Sequence, residues 1–231
     1  MSPEAAPSWP VLSVNERRVL GVLVEKQKTT DSYPLTPNAL LNGCNQKNNR
    51  DPLLNLADHA VEDALSELKT KGLVMQVVSG RVDKWRHLLY EVWQVNSVEL
   101  AVLAELLLRG PQTEGALRGR ASRMDQIADL DTLRGILKTL AERKLVVYLT
   151  PEGRRGTALT HGFHDPQELE RIRTHVPSPI QHEERAPAAT SAPATELIHA
   201  RLTSIENQIS NLQSAIDELR AQIARLSPGG P

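Results

Sequence analysis

The chain has 231 residues, which suits one large domain or two small ones with additional segments. Aromatic residues make up only 3% of it, so a core has to be built mainly from Leu, Val, Ile and Ala. The formal net charge of −1 excludes a global basic field that would draw the whole chain onto nucleic acid, so any DNA contact has to come from a local patch.

The N-terminal segment, residues 1–11, predicts a disordered tail. It contains Pro and Glu and lacks the basic start and apolar run of a signal peptide. The apolar runs of the chain are too short to span a membrane. The single cysteine, Cys44, cannot form an intramolecular disulfide and is predicted to pack as a small apolar residue. These features indicate a soluble, cytoplasmic protein with no membrane association.

The first compact region, residues 12–95, opens with the pattern of two helices. Ser13 and Glu16 have the spacing of a capping box, and apolar residues at helical spacing follow them. Thr36 is a natural N-cap, and Pro37 stands at the first position of a short second helix. We therefore expect two helices joined by a turn in the first half of this region.

The second half of this region predicts a third helix and a hairpin. The helix runs from about residue 58 to residue 71, with Gly72 just past its end. Residues 73–78 are apolar and β-branched, a turn follows, and residues 84–93 alternate as a return strand. Three helices followed by a hairpin is the order of a winged helix-turn-helix.

The second compact region, residues 96–165, repeats this order. Its first helix is predicted at residues 98–108 and its wing at residues 151–156. Two patterns recur between the regions: Pro34-x-Thr36-x-x-Ala39-Leu40 as Pro111-x-Thr113-x-x-Ala116-Leu117, and Lys71-Gly72-Leu73-Val74 as Arg143-Lys144-Leu145-Val146. Repetition of a whole unit favours two tandem winged-helix domains over two unrelated three-helix pieces. The predicted fold class is mainly α with small β-hairpin wings (α+β).

The C-terminal part predicts a linker and a coiled coil. Residues 166–195 begin with a short helical piece and continue as a flexible Pro/Ala linker, and residues 196–227 carry an unbroken heptad pattern. The predicted oligomerisation residues are Ile198, Leu202, Ile205, Ile209, Leu212, Ile216, Leu219, Ile223 and Leu226. Mostly Ile at a and mostly Leu at d favours a parallel dimer, while the lack of a polar a position leaves a trimer open. The alternative is an amphipathic helix that docks on the chain's own modules.

Several short strings between residues 12 and 165 resemble the YceH-like family of bacterial proteins. They are Glu25-Lys26-Gln27, Tyr33-Pro34-Leu35, Cys44-Asn45-Gln46-Lys47-x-Asn49-Arg50-Asp51-Pro52, Leu106-Leu107-Leu108-Arg109-Gly110 and Gln112-Thr113, of which the string from Cys44 is the most specific. The resemblance implies a bacterial protein with tandem winged-helix domains and a coiled-coil-like C-terminal helix. It implies no catalytic residues, because the family has no established biochemical activity.

A winged helix that reads DNA places its third helix in the major groove and its wing near the backbone. In the first region, the outward side of this helix is acidic and would repel phosphates; it carries His59, Glu62, Asp63, Ser66, Glu67 and Thr70. The second region has a local charge of +4 between residues 109 and 155, from ten basic and six acidic residues. Its candidate nucleic-acid-binding residues are Arg118, Arg120, Arg123, Arg134, Lys138, Arg154 and Arg155. The alternative is an ordinary surface of mixed charge.

The Asn-rich loop before the third helix of the first region is the most unusual segment. Its residues of possible function are Asn45, Gln46, Lys47, Asn49 and Arg50. Their amides could hydrogen-bond a nucleobase or a peptide, with the two cations supplying charge. The other interpretation is that the amides satisfy backbone groups in a long turn.

Neither a metal site, nor a cofactor, nor an enzymatic activity is predicted. His161 and His164 lie three residues apart without a third ligand and are interpreted as surface histidines. The sequence has no Gly-rich phosphate loop and no Gly-x-Ser-x-Gly elbow. The first hypothesis is a DNA-binding regulator, paired by its coiled coil, that contacts double-stranded DNA through its second module. The alternative is a protein–protein interaction scaffold, in which the acidic helix of the first module docks a protein partner.

Overall fold

The computed structural model describes residues 9–78, 82–154 and 156–175. About half of these residues are helical, and the strands form small antiparallel sheets, so the fold class is α+β. The first repeat contains α1 (Val14–Thr29), α2 (Pro37–Cys44), α3 (Asp58–Thr70), β1 (Val74–Val77), β2 (Lys84–His87) and α4 (Leu89–Val92). The second repeat contains α5 (Ser97–Arg109), β3 (Gln112–Thr113), α6 (Glu114–Ala121), α7 (Leu130–Glu142), β4 (Val146–Tyr148) and β5 (Ala158–His161). The helix α8 (Pro166–His175) follows.

The first helix of each repeat begins with a capping box. In α1 the Ser13 hydroxyl accepts a hydrogen bond from the Glu16 amide, and the Glu16 carboxylate accepts one from the Ser13 amide at 2.8 Å. This is the predicted arrangement. In α5 the pair is Asn96 and Glu99, with both distances 2.9 Å. Each box satisfies two backbone donors that a helix N-terminus otherwise leaves unpaired.

The second helix of each repeat starts in the same way, as the recurring pattern predicts. Thr36 accepts from the Ala39 amide at 3.2 Å, and Thr113 accepts from the Ala116 amide at 3.4 Å. The residue before each threonine pairs with the returning strand of its own repeat. Leu35 bridges Trp85, and Gln112 pairs with Leu159. The two repeats therefore share both their helix starts and a strand pairing that closes the hairpin onto the helices.

The third helices bury one apolar face each. In α3 this face consists of Val61, Ala64, Leu65 and Leu68, and in α7 of Leu133, Leu137 and Leu140. Both helices lead into left-handed residues at equivalent positions, Gly72 with φ +70° and Lys144 with φ +59°. Glycine adopts this conformation without steric cost, whereas lysine at the same place is held there by the surrounding structure.

The hairpins follow the third helices. Val74 pairs with His87 in the first repeat, and Val146 pairs with His161 in the second. The prediction of a return strand over residues 84–93 is wrong beyond His87, because the chain turns into α4. Leu89 and Trp93, at the start and just past the end of this helical turn, are both fully buried in the core.

The two repeats share one apolar core through their first helices. Residues 16–24 of α1 and 99–108 of α5 are buried throughout, so each helix is surrounded on all sides. Trp93, which ends the first repeat, stacks on Phe163 of the second at a ring-centroid distance of 4.5 Å. The Leu12 amide donates to the Phe163 carbonyl at 2.9 Å. The N-terminal end of the described chain therefore packs on the second repeat.

Several predicted features lie outside the described residues. These are most of the tail of residues 1–11, Arg155, most of the linker and the whole coiled coil of residues 196–227. The short helical piece predicted at the start of residues 166–195 is confirmed as α8. Among the helices that the structure describes, none is long and apolar enough to cross a membrane.

Candidate functional site at the junction of the two repeats

Arg18 of α1 fixes both ends of the Asn-rich loop. Its side chain is 2% exposed, and its guanidinium donates to the carbonyls of Cys44 at 2.9 Å and of Pro52 at 2.5 Å. Burial lowers the pKa of Arg18, with the nearby Arg50 acting in the same direction. The two carbonyls hold the loop against this buried cation, because releasing either of them would leave the charge less compensated.

Arg50 ties the middle of the loop to α1. Its guanidinium makes a two-point ion pair with the Glu25 carboxylate at 3.0 and 2.5 Å. It also donates to the Gly43 carbonyl at 3.1 Å and to the Gln46 side chain at 2.9 Å. Arg50 is buried, so its charge, which the sequence suggests for ligand binding, pairs with Glu25 inside the chain.

The other loop residues divide between the two interpretations of the sequence. The Asn45 side chain exchanges hydrogen bonds with the Leu56 backbone at 2.9 and 2.8 Å, as the turn interpretation predicts. Lys47 is exposed. Cys44 is fully buried as predicted, and burial raises the pKa of its thiol to about 12.

Asn49 connects the loop to the second repeat. It has a φ of +61°, and its side-chain oxygen accepts from Arg109 and, at 3.4 Å, from Arg123. The Arg109 guanidinium also lies 2.8 Å from the Glu105 carboxylate, which is 3% exposed. Burial raises the pKa of Glu105, although the neighbouring arginines oppose this shift. The loop is therefore bound to both α1 and α5.

These contacts surround a polar cavity of about 210 Å³, here called the junction pocket. Arg120 reaches it from α6 and donates to the Gln112 side chain at 2.7 Å. The residues that line the pocket are Glu25, Lys26, Thr29, Gln46, Asn49, Glu105, Arg120, Arg123 and Met124. Two groups that the sequence predicted separately, the Asn-rich loop and the arginines of the second repeat, thus meet at this pocket.

The remaining candidate nucleic-acid residues lie elsewhere. Arg118 donates to the carbonyls of Ile127 and Ala128, in the connection after α6, at 3.3 and 3.0 Å. Arg134 forms ion pairs with Glu114 at 3.0 Å and Asp131 at 3.2 Å. Lys138 and Arg154 are exposed, and Lys138 lines a cavity of about 340 Å³ together with Glu142 and Glu152. Arg118 and Arg134 are therefore engaged inside the chain, whereas Lys138 and Arg154 are exposed.

The exposed side of α3 is acidic, as the sequence predicts. His59, Ser66 and Thr70 are exposed there together with four carboxylates, those of Asp58, Glu62, Asp63 and Glu67. The apolar face on the opposite side of the helix is the one that packs into the core. The surface that a winged helix would present to the major groove therefore carries several negative charges.

The interpretation of His161 and His164 as surface histidines is wrong. His161 is 1% exposed on β5, a strand buried on both faces, and its ring stacks on that of His164 at 3.9 Å. Burial lowers the pKa of His161 well below its usual value. Arg17 donates to His164 at 2.6 Å and makes two hydrogen bonds to Glu168 at 2.9 and 2.7 Å. Within the described part of the chain, no cluster of potential metal ligands is present.

Sequence reasoning missed several residues of the junction, namely Arg18, Glu105, Arg109 and Gln112. Two features of the sequence could have indicated them. Arg18 and Glu105 are charged residues next to long apolar runs in α1 and α5, a position that requires a buried partner. Arg109 and Gln112 belong to strings that carry the family resemblance. The strings that contain Glu25, Asn49 and Arg109 are widely separated in the sequence and come together at the junction.

The described residues define an α+β protein with two structural repeats joined by a polar junction. Residues 12–155 match a family model described as a protein of unknown function, DUF480. A UPF0502 protein of Rhodopirellula baltica is 46% identical over 182 residues, which are 78% of this chain and 75% of the relative. A UPF0502 protein of Hahella chejuensis is 38% identical over 225 residues, or 93% and 96% of the two chains. The chain belongs to this bacterial family, which is the one that the resemblance indicates.

Proposed function

We propose that the chain is a non-enzymatic scaffold of two winged-helix modules that binds a protein partner without reading DNA. The order of three helices and a hairpin in both repeats supports the winged-helix assignment. In both repeats, the residue before the N-cap of the second helix also pairs with the second strand of the hairpin. Winged-helix folds serve both DNA binding and protein binding, so the surface chemistry has to decide between these two functions.

The engagement of the candidate arginines is the observation that carries this proposal. Arg118 is bonded to two backbone carbonyls, and Arg134 forms ion pairs with two carboxylates. Phosphate binding depends on cations that can neutralise phosphate charge at the interface. Cations that are held by partners inside the chain would have to give up those contacts before they could bind phosphate.

The exposed acidic side of α3 supports a partner with a basic surface. Apolar side chains of the adjacent hairpin are also exposed, with Met75 at 37%, Val78 at 82% and Val82 at 55% exposure. Together they fit a partner segment with basic and apolar residues, since complementary charge favours encounter and apolar contact adds affinity. Pairing of two copies through the predicted coiled coil would raise the avidity for such a partner in the cytoplasm.

Site-specific photocrosslinking in living bacteria tests this proposal. A photoreactive amino acid is placed at Ser66 on α3, where it leaves the four carboxylates intact. The control position is Thr139 on α7, which is also exposed and lies at a comparable place in the second repeat. We expect one discrete crosslinked protein from Ser66 and none from Thr139. Equal crosslinking from both positions, or none from Ser66, would contradict a partner on α3.

A charge reversal makes this experiment specific. Glu62→Lys with Asp63→Lys should abolish the crosslink from Ser66, because it removes the complementary charge. Glu142→Lys with Glu152→Lys changes the net charge of the chain equally, on the second repeat, and should leave the crosslink in place. If both double variants lose it equally, net charge and not the α3 surface governs the contact.

The second candidate function is the DNA-binding regulator. The observation in its favour is the +4 charge between residues 109 and 155, together with the exposure of Lys138, Lys144 and Arg154. Cations on a third helix and a wing are where a winged helix would contact phosphates. Binding to a duplex distinguishes this function from the scaffold.

A further inference from the structure

We propose that the junction pocket binds a small oxyanion, such as a phosphate monoester or a carboxylate. This inference does not depend on whether the chain binds a protein or DNA, because no described residue of α3 or of the second hairpin lines the pocket. It rests on the distribution of charge around the pocket, on its donors and on its size.

The cations around the pocket outnumber the carboxylates. Glu25 is paired with Arg50, and Glu105 lies beside Arg109. Lys26, Arg120 and Arg123 remain as further cations in the lining, and each lining carboxylate forms an ion pair with an arginine that does not line the pocket. Lys26 lies 3.7 Å from Glu25, a longer separation than the 2.5 Å contact between Arg50 and Glu25.

The two pocket arginines hydrogen-bond only to neutral groups among the described residues. Arg120 donates to the Gln112 side chain at 2.7 Å. Arg123 donates to the Asn49 side chain at 3.4 Å and to the Arg120 carbonyl at 3.3 Å. A neutral acceptor compensates a guanidinium less well than an anion does, so an oxyanion between these two side chains would form stronger, charge-assisted hydrogen bonds.

The side-chain amides of the loop complete the donor set. The oxygen atoms of Gln46 and Asn49 accept hydrogen bonds from arginines, which fixes the orientation of both amides. Both residues line the pocket, so we infer that their NH₂ groups are donors there. Guanidinium and amide N–H groups together are the chemistry that recognises phosphate and carboxylate oxygens.

The volume of the pocket limits the size of the ligand, and the position of the pocket predicts that the ligand stabilises the folded chain. At about 210 Å³, it is smaller than the roughly 300–1,000 Å³ of sites for drug-sized molecules, which fits one oxyanion group with a small substituent. Gln46 and Asn49 come from the first repeat, and Arg120 and Arg123 come from the second. A ligand that bridges them binds only when the repeats are packed together, so it should stabilise the folded chain.

Calorimetric titration of the full chain with inorganic phosphate and, separately, with malonate tests the inference. Chloride is used to match the ionic strength, so that a general salt effect cancels. We expect saturable binding of at least one of the two anions at one site per chain. Arg120→Gln and Arg123→Gln should each weaken it by roughly tenfold or more, because each removes a charge-assisted hydrogen bond. Arg154→Gln, an exposed arginine outside the pocket, should leave the affinity unchanged.

Lys26→Gln keeps the test decisive if an arginine variant does not fold. This residue lies at the edge of the pocket, and its replacement should also weaken binding. Absence of saturable binding by either anion overturns the proposal, and so does unchanged affinity in folded variants. A short DNA duplex that displaces the anion, and is itself lost in the same variants, would also overturn it, because the pocket would then contact a nucleic-acid backbone.

Discussion

Gly21 of α1 lies directly against the side chain of Leu108 of α5. A Cβ atom built on Gly21 would come within 2.7 Å of Leu108 Cγ and within 3.4 Å of the Ala104 carbonyl oxygen. Leu108 is 1% exposed, so it has little room to move aside. The absence of a side chain at Gly21 thus allows the first helices of the two repeats to cross closely.

Gly21→Ala should therefore destabilise the chain. Overpacking of a buried contact costs about 1–3 kcal/mol, which outweighs the gain of about 1 kcal/mol that alanine brings to a helix interior. Gly135→Ala is the matched control, because Gly135 is an exposed glycine of α7 with nothing within 4 Å of a built Cβ. It should raise stability by about 0.5–1 kcal/mol. Urea unfolding measures both, and an equal gain in the two variants would contradict the close crossing.

The local elements could be predicted because their causes are local. Ser13 and Glu16 are three residues apart, and the pattern around Thr36 recurs around Thr113, so each helix start was visible in the sequence. The helical end of residues 84–93 was missed because Leu89 and Trp93 fit a strand by composition. Their spacing does not separate the two structures either, because a strand and a helical turn both place residues four apart on one face.

The junction could not be predicted because its contacts join residues far apart in the chain. Arg123 and Asn49 are separated by 74 positions, and nothing near either residue indicates the other. The same holds for the burial of His161, which depends on β5 being covered on both faces. Local charge counting therefore treated the arginines of the second repeat as one surface, whereas tertiary packing divides them between several partners.

Leu68→Ala should strongly destabilise the first repeat. Leu68 is fully buried on the apolar face of α3, and truncation to alanine leaves a cavity that costs about 2–5 kcal/mol. Val78→Ala is the control, because Val78 is 82% exposed and should change stability by less than about 0.5 kcal/mol. Thermal unfolding followed by circular dichroism should show a lower melting temperature for Leu68→Ala alone. An unchanged melting curve would mean that α3 packs on another face.

The stability of the chain should fall as the pH drops from about 6.5 to about 4. His87 is 3% exposed, and burial, helped by Arg86 and Lys28, lowers its pKa from 6.5 to about 4. Between these pH values the unfolded chain binds a proton at His87 that the folded chain does not, so protonation favours unfolding. This histidine accounts for up to about 3 kcal/mol of the change. Above pH 6.5 both states are neutral and the effect disappears.

A histidine replacement tests this origin of the pH dependence. His87→Gln keeps a side chain that can donate to Gln27, which lies 2.7 Å from the His87 ring, but it cannot titrate. Urea unfolding at about pH 7 and about pH 5 should show a smaller loss of stability in this variant than in the natural chain. His59→Gln, at an exposed position on α3, should keep the full loss. Equal losses in all three proteins would exclude His87 as a cause.

Assembly should depend on residues 196–227, which lie outside the described part of the chain. The heptad pattern predicts that the full chain sediments as a dimer, or as a trimer because no polar residue marks an a position. A chain that ends before Glu196 should sediment as a monomer. If the shortened chain stays fully associated, the two repeats themselves and not the predicted coiled coil drive assembly.

A duplex titration tests most directly whether the chain works without reading DNA. A labelled random-sequence duplex is titrated with the full chain at salt concentrations from roughly 50 to 200 mM, where phosphate contacts change affinity steeply. We predict no saturable binding at any of these concentrations, because Arg118 and Arg134 are engaged inside the chain and the exposed side of α3 is acidic. The contrary result is saturable binding whose salt dependence flattens in Lys138→Ala and in Arg154→Ala, with a slope smaller by about 1 for each cation removed. That outcome would replace the scaffold with a DNA-binding regulator.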